Sequence, residues 1–180
     1  MKRISANIQR GFTVLDMLVV VFILGILALI ILPQIPSHTS EAKLAKLDST
    51  LTTMRMAIRL YKRDHFRYPG KLCSGNGHTC PNSEPASGLV NSAQAFIDQL
   101  TLYTNDAGLA CTEKGGDFKY GPYLQVAELP ANPHTGSNGL EISMTTQLGM
   151  QASFSDLTGG WKFSVWTGEF IANDTAYDHR

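Results

Sequence analysis

Cys73 and Cys80 flank the stretch Ser-Gly-Asn-Gly-His-Thr, and Cys111 lies further on, so thiol chemistry is the first to weigh. Outside a reducing compartment an oxidised pair is the default, and three pairings are possible among three cysteines. A Cys73–Cys80 bridge would close a short loop and contribute on the order of 2–3 kcal/mol by the loop-entropy relation, leaving Cys111 buried and free. A metal site built from Cys73, His78 and Cys80 is the sharper alternative. Its spacing is unlike C-x2-C and it lacks a fourth ligand, so no metal is expected. His38, His65, His78, His134 and His179 are scattered, with no paired carboxylate or nucleophile at motif spacing. The chain has no G-x-S-x-G, no H-E-x-x-H and no phosphate-cradling Gly loop, and it reads as a non-enzyme.

The one acid in an unusual setting is Asp16. From Met17 to Leu32 every residue is apolar or Gly, and Phe12, Val14 and Leu15 extend the run backwards to about 20 residues, enough to cross a bilayer. Thirteen Leu, Ile, Val or Phe side chains lie between Leu18 and Leu32. At roughly −0.3 to −0.6 kcal/mol each they outweigh the roughly +2.5 to +3.5 kcal/mol of one acid. Lys2, Arg3 and Arg10 precede the run, which by the positive-inside rule keeps the leader cytoplasmic and sends the rest across. A cleaved secretory signal fits poorly. The apolar block is longer than the usual ~7–15 residues, and Pro33-Gln34-Ile35-Pro36-Ser37-His38 has no small-x-small pattern.

Arg10-Gly11-Phe12-Thr13-Val14-Leu15-Asp16-Met17-Leu18-Val19-Val20-Val21, followed by Gly25 and Pro33, resembles the N-terminus of type IV prepilins and type II secretion pseudopilins. The resemblance implies cleavage of the Gly11–Phe12 bond by a prepilin peptidase and N-methylation of Phe12. It also implies an acid four positions after that Phe, usually Glu and here Asp16, and a segment between Gly25 and Pro33 that can unwind as a helix break on polymerisation. Partners implied are other pilins or further copies of the chain, the peptidase and methyltransferase, an assembly platform and an ATPase. The implied location is the bacterial inner membrane, single-pass with a periplasmic head, and then a filament.

The acid has a physical role independent of the family. A carboxylate in hydrocarbon needs a cationic partner, and cleavage after Gly11 creates one in the amine of Phe12 or of a neighbouring copy. Misaligned copies would leave Asp16 unpaired, which makes the charge a register device.

Beyond the apolar run, Leu44, Leu47, Leu51, Met54, Ile58 and Tyr61 form one stripe of an amphipathic helix over 41–64, packed against a head. A helix continuous from Phe12 to Lys62 would be roughly 75 Å long, but Pro33 and Pro36 argue against continuity. Residues 71–90 read as an exposed loop. A second helix is expected from Ser92 to Tyr103, capped by Asn91 or Ser92, with Ala93, Phe96, Ile97 and Leu100 inward. The final third reads as antiparallel sheet, with Trp161, Phe163 and Val165 on one strand face, a turn at Thr167-Gly168, a strand through Glu169–Ala172 and a weaker one through Leu140–Met144. The pieces around Gly121-Pro122-Tyr123-Leu124, Pro130–Gly136 and Gly159–Glu169 also resemble pilin-like heads.

The expectation is therefore an α+β, pilin-like chain, with a leader at 1–11, a transmembrane and polymerisation helix at 12–35, and a head at 36–180. A monomeric, inner-membrane-anchored binding or enzymatic domain is the alternative.

Charge is balanced overall, with 15 Lys+Arg against 15 Asp+Glu, but unevenly placed. Residues 41–67 carry seven basic and three acidic groups, and residues 71–180 carry five and eleven. Arg55, Arg59, Lys62, Arg63 and Arg67 could meet phosphates, yet with few interleaved aromatics a solvated helix face is expected and nucleic acid is not. The acidic head against the basic helix suggests complementarity between subunits. Asp174 and Asp178 are similar to the calcium loop of major pseudopilins in composition only. A solvated tail is expected there, and no cofactor. Composition excludes collagen, extended disorder and polytopic membrane proteins.

Overall fold

A computed structural model describes residues 13–31, 35–75, 80, 85–153 and 158–179. They fall into two compact units, Met1–Ala42 and Lys43–Arg180. The elements run α1 (Val14–Ile31), α2 (Ile35–His65), α3 (Ala93–Thr101), β1 (Tyr103–Thr104), β2 (Ala110–Cys111), β3 (Leu140–Ser143), β4 (Trp161–Ser164) and β5 (Phe170–Ala172).

As expected from the prolines, the N-terminal part is described as two helices, α1 and α2, with residues 32–34 outside the described residues. Pro33, one of the two expected break residues, lies among those three. Pro36 does not break the chain. It sits in the first turn of α2, where a missing N–H leaves no hydrogen bond unmade, so α2 begins at Ile35 instead of residue 41. α1 runs uninterrupted through Gly25, the other expected break. Among the described residues no helix is long and apolar enough to cross a membrane. The 18 residues of α1 amount to about 27 Å, just short of a ~30 Å hydrocarbon core, and the span expected at 12–35 draws on Phe12 and residues 32–34, which are not described.

In the second unit the α2 stripe is buried as its spacing predicts. Leu47, Leu51, Met54, Ile58 and Tyr61 are at most 2% exposed, and Leu44 at the start is half-buried. They pack with Phe96 and Leu100 of α3 and with Trp161, Phe163 and Phe170 of the sheet. Beside this stripe and round the rest of α2 the hydroxyls of Thr50, Thr52 and Thr53 donate back to the carbonyls of Lys46, Asp48 and Ser49. α3 starts where Ser92, in extended conformation, accepts from Ala95 N at 3.1 Å, and it ends at Thr101, two residues short of the expected end, with Leu102 extended as its C-cap. Phe96 and Leu100 face inward as expected, whereas Ala93 and Ile97 are only half-buried.

The head carries a two-stranded sheet, β1-β2, and a three-stranded sheet ordered β3-β4-β5. β4 and β5 are antiparallel, joined through Thr167 and Gly168, the latter at φ 77°. β3 and β4 are parallel, which corrects the all-antiparallel expectation. The cause is residues 144–160, a connection long enough to return the chain to the starting end of β3 before β4 begins. That connection is held by side chains. Glu169 accepts from Gly149 N and Met150 N, Asn173 Oδ1 from Ser153 N, and Lys162 donates to Gln151 O at 3.0 Å. Trp161 and Phe163 of β4 are fully buried, with Val165 just beyond, as the alternation predicts.

Candidate assembly surface

Apart from Asp16, α1 is built of apolar residues and Gly, and its side chains are exposed wherever they are described, over Val14–Ala28. Val14 is 86% exposed, Phe22 66% and Leu27 50%. A helix with no polar face gains nothing from exposure to water, and burial of its apolar surface is favourable.

Asp16 opens this helix. Its Oδ2 accepts from Thr13 N at 3.1 Å and from Thr13 Oγ1 at 3.0 Å, while Asp16 N approaches Thr13 Oγ1 at 3.3 Å. This is a reciprocal cap in which Thr and an acid three residues on satisfy each other's end of the helix, and the acid also suits the positive end of the dipole. The Thr-x-x-Asp spacing was visible in the sequence, yet only the charge pair was read from it. The expected partner, the amine of Phe12, and the expected scissile bond at Gly11 both lie outside the described residues.

The cysteines correct the sequence reading. The bridge joins Cys80 to Cys111, with Cα atoms 5.9 Å apart, and Cys73 is the free thiol. The reason lies in α3. Gln99, fully buried, donates to the carbonyls of Leu72, Cys73 and Gly108 and accepts from Gly70 N at 2.7 Å. Asp98 accepts from Ser74 Oγ, Gly88 N and Gln94 Nε2. These two side chains fix the backbone at 70–74, while Ala86 N to Ala110 O brings the later part of the loop beside β2, with Cys80 and Cys111 packed against Phe118. Neither residue was singled out from the sequence. A polar pair on the expected inward turn of an amphipathic helix was the available signal.

The basic cluster is partly spent on the fold. Arg55 donates from Nε and Nη2 to Phe170 O at 3.1 and 3.0 Å, tying α2 to β5, and burial lowers its pKa. Lys62 donates to Tyr68 Oη at 2.7 Å, and Arg63 pairs with Asp64 at 2.8 Å, which holds the Asp64 carboxyl below its ordinary range. Arg59 and Arg67 are exposed. At the end of α2, His65 is 3% exposed, with Nε2 2.9 Å from Thr104 Oγ1 and 3.2 Å from Tyr123 Oη. Its ring lies against Tyr61 and Tyr120, with the backbone of Asp106 close by. Burial therefore pushes its pKa down, against the opposing charges of Asp64 and Asp106.

Asp174 Oδ1 accepts from Ala176 N, and Asp178 Oδ2 from Ala152 N, so both acids serve as local anchors where a solvated tail was expected. Among the described residues no group of three or more His, Cys, Asp or Glu side chains is placed to hold a metal ion.

No family model and no solved structure matches the chain. Curated proteins do. It is 41% identical over 61 residues to the type II secretion system core protein G of Pseudomonas aeruginosa, covering 34% of this chain and 43% of that protein. The core protein G of Klebsiella pneumoniae matches at the same identity and length, covering 44% of it. A type IV major pilin protein of Neisseria gonorrhoeae is 26% identical over 103 residues, 57% of each chain. The matches thus span about half the length of these relatives. The uncovered apolar helix, opened by an acid-capped Thr, and these similarities lead to one statement of kinship: the chain is a homologue of type II secretion pseudopilins and type IV pilins.

Proposed function

We propose that the chain is a structural subunit of a pilus or pseudopilus filament, held in the bacterial inner membrane until it polymerises through its N-terminal helix. The observation that carries this is α1, whose described apolar side chains, Val14–Ala28, are all exposed. Together with Phe12 and residues 32–34 the apolar run reaches bilayer length, with the basic leader on the cytoplasmic side. Leaving the bilayer then requires reburial against other copies, because apolar area in water costs roughly 25 cal/mol per Å².

In this reading a prepilin peptidase cuts between Gly11 and Phe12, and Phe12 is methylated. The new amine gives Asp16 a cation beyond its bonds to Thr13. The Gly25–Pro33 segment loosens as the helix enters the filament. The chain supplies no chemistry and needs no cofactor, so extraction draws on an ATPase and a platform protein. The relatives are named as secretion-system and pilin proteins, which supports this reading over a solitary anchored binding or enzymatic domain.

N-terminal mass spectrometry of the full chain, extracted from membranes with the peptidase active, tests it. A methylated Phe12 terminus is expected. Molecules that retain Met1–Gly11 and stay monomeric refute it. Asp16→Ala should still insert but assemble poorly, whereas unchanged polymer refutes the role of the charge in register.

A further inference from the structure

Two patches of different character lie on opposite flanks of α2. The first is a groove of about 540 Å³, lined by Arg55, Arg59 and Lys62 on one side and by the β4–β5 turn and Leu148 on the other. Its floor is apolar, with Ile58 and Phe170, and Leu148 at its rim is 79% exposed. Glu169 is its single carboxylate and is engaged by Gly149 N and Met150 N. The groove thus offers an apolar seat beside excess positive charge.

The second patch is the loop at residues 125–128, exposed throughout, in which Val126 is 47% exposed and Glu128 accepts from Asn138 Nδ2 at 3.3 Å. Val126 borders a smaller recess with Ser49, Thr50 and Thr53 of α2. At ~100° per residue Thr50 and Arg59 stand about 180° apart round the helix, so no copy can place its own loop in its own groove.

The geometry points to a head-to-tail contact between copies of this chain, in which Val126 of one copy sits on the apolar floor of the next copy's groove and Glu128 meets its Arg59 and Lys62. The occupant is a second copy because the charges match, with a basic α2 and an acidic excess over residues 71–180 in the same chain. Two unlike patches on opposite flanks make a heterologous contact, which repeats without closing and extends into an open helical array. The inference rests on the filament reading and adds the head surfaces that set its lateral order.

The test is a charge-swap cycle on the full chain, expressed with its assembly machinery and scored by sheared polymer. Arg59→Glu and Glu128→Arg should each lower polymer about fivefold or more, from lost attraction and new repulsion at every contact, and the double variant should restore it. Half-molar salt should weaken unmutated polymer in the same direction. Singles that polymerise normally overturn the contact while leaving the filament reading intact. Impaired singles that the double fails to restore also overturn it. Absence of polymer from the unmutated chain refutes the filament reading, and this contact with it.

Discussion

Breaking the Cys80–Cys111 bridge by Cys111→Ser should destabilise the head strongly, and Cys73→Ser should not. The bridged residues are 31 apart in sequence, so the loop-entropy relation gives about 12 cal/mol/K, or about 3.7 kcal/mol at 25 °C. A Cys73–Cys80 bridge, closing 7 residues (80 − 73), would give only about 2.3 kcal/mol. For a chain of 180 residues the larger figure corresponds to a fall in Tm of about 7–15 °C, at ~2–4 °C per kcal/mol. The reporter is built in. Trp161 is fully buried and donates from Nε1 to Pro130 O at 2.7 Å, so its fluorescence follows loss of the core in detergent-solubilised chain. Reductant should destabilise wild type and Cys73→Ser equally and leave Cys111→Ser unchanged. If Cys73→Ser proves as damaging as Cys111→Ser, or if proteolytic mapping recovers a peptide linked through Cys73, the pairing and the argument from α3 fail together.

Two further outcomes follow from the packing. The pKa of His65 is depressed below the ~6.5 it has when unfolded, so its stabilising contribution is complete above about pH 6.5 and is lost as pH falls through the lower folded value. Denaturant titrations at pH 7.5 and 5 should show wild type losing more stability than His65→Gln, and equal losses would refute the assignment. Gly168→Ala should destabilise by more than about 1 kcal/mol, because φ is 77° and a Cβ there would overlap the Tyr68 ring. If thermal melts show no change, the Tyr68 ring does not pack against Gly168.

Where side-chain periodicity was long, the fold was legible. The α2 stripe and the alternation of Trp161 and Phe163 both survive in the structure because burial repeats at the element's own period. What failed depended on partners distant in sequence. The β3–β4 pairing is set by what residues 144–160 do, and nothing in Leu140–Met144 announces its direction. The cysteine pairing is set by Asp98 and Gln99, which a hydropathy pattern scores as interruptions. Asp16 shows a subtler miss. A local cap and a charge partner both explain an acid at that position, and the residue types alone do not separate the two.

The Gln99 and Asp98 contacts bear on the order of events in biogenesis. Four backbone groups around Gln99 and two partners of Asp98 outside α3 are held by these two side chains, and Ala86 and Ser74 tie the same loop to Ala110 through the backbone, all without any sulfur. Thiols at 80 and 111 are therefore brought together by a scaffold that needs no oxidant. A newly made molecule can reach its shape first and acquire the cystine afterwards, as a lock on a door already shut.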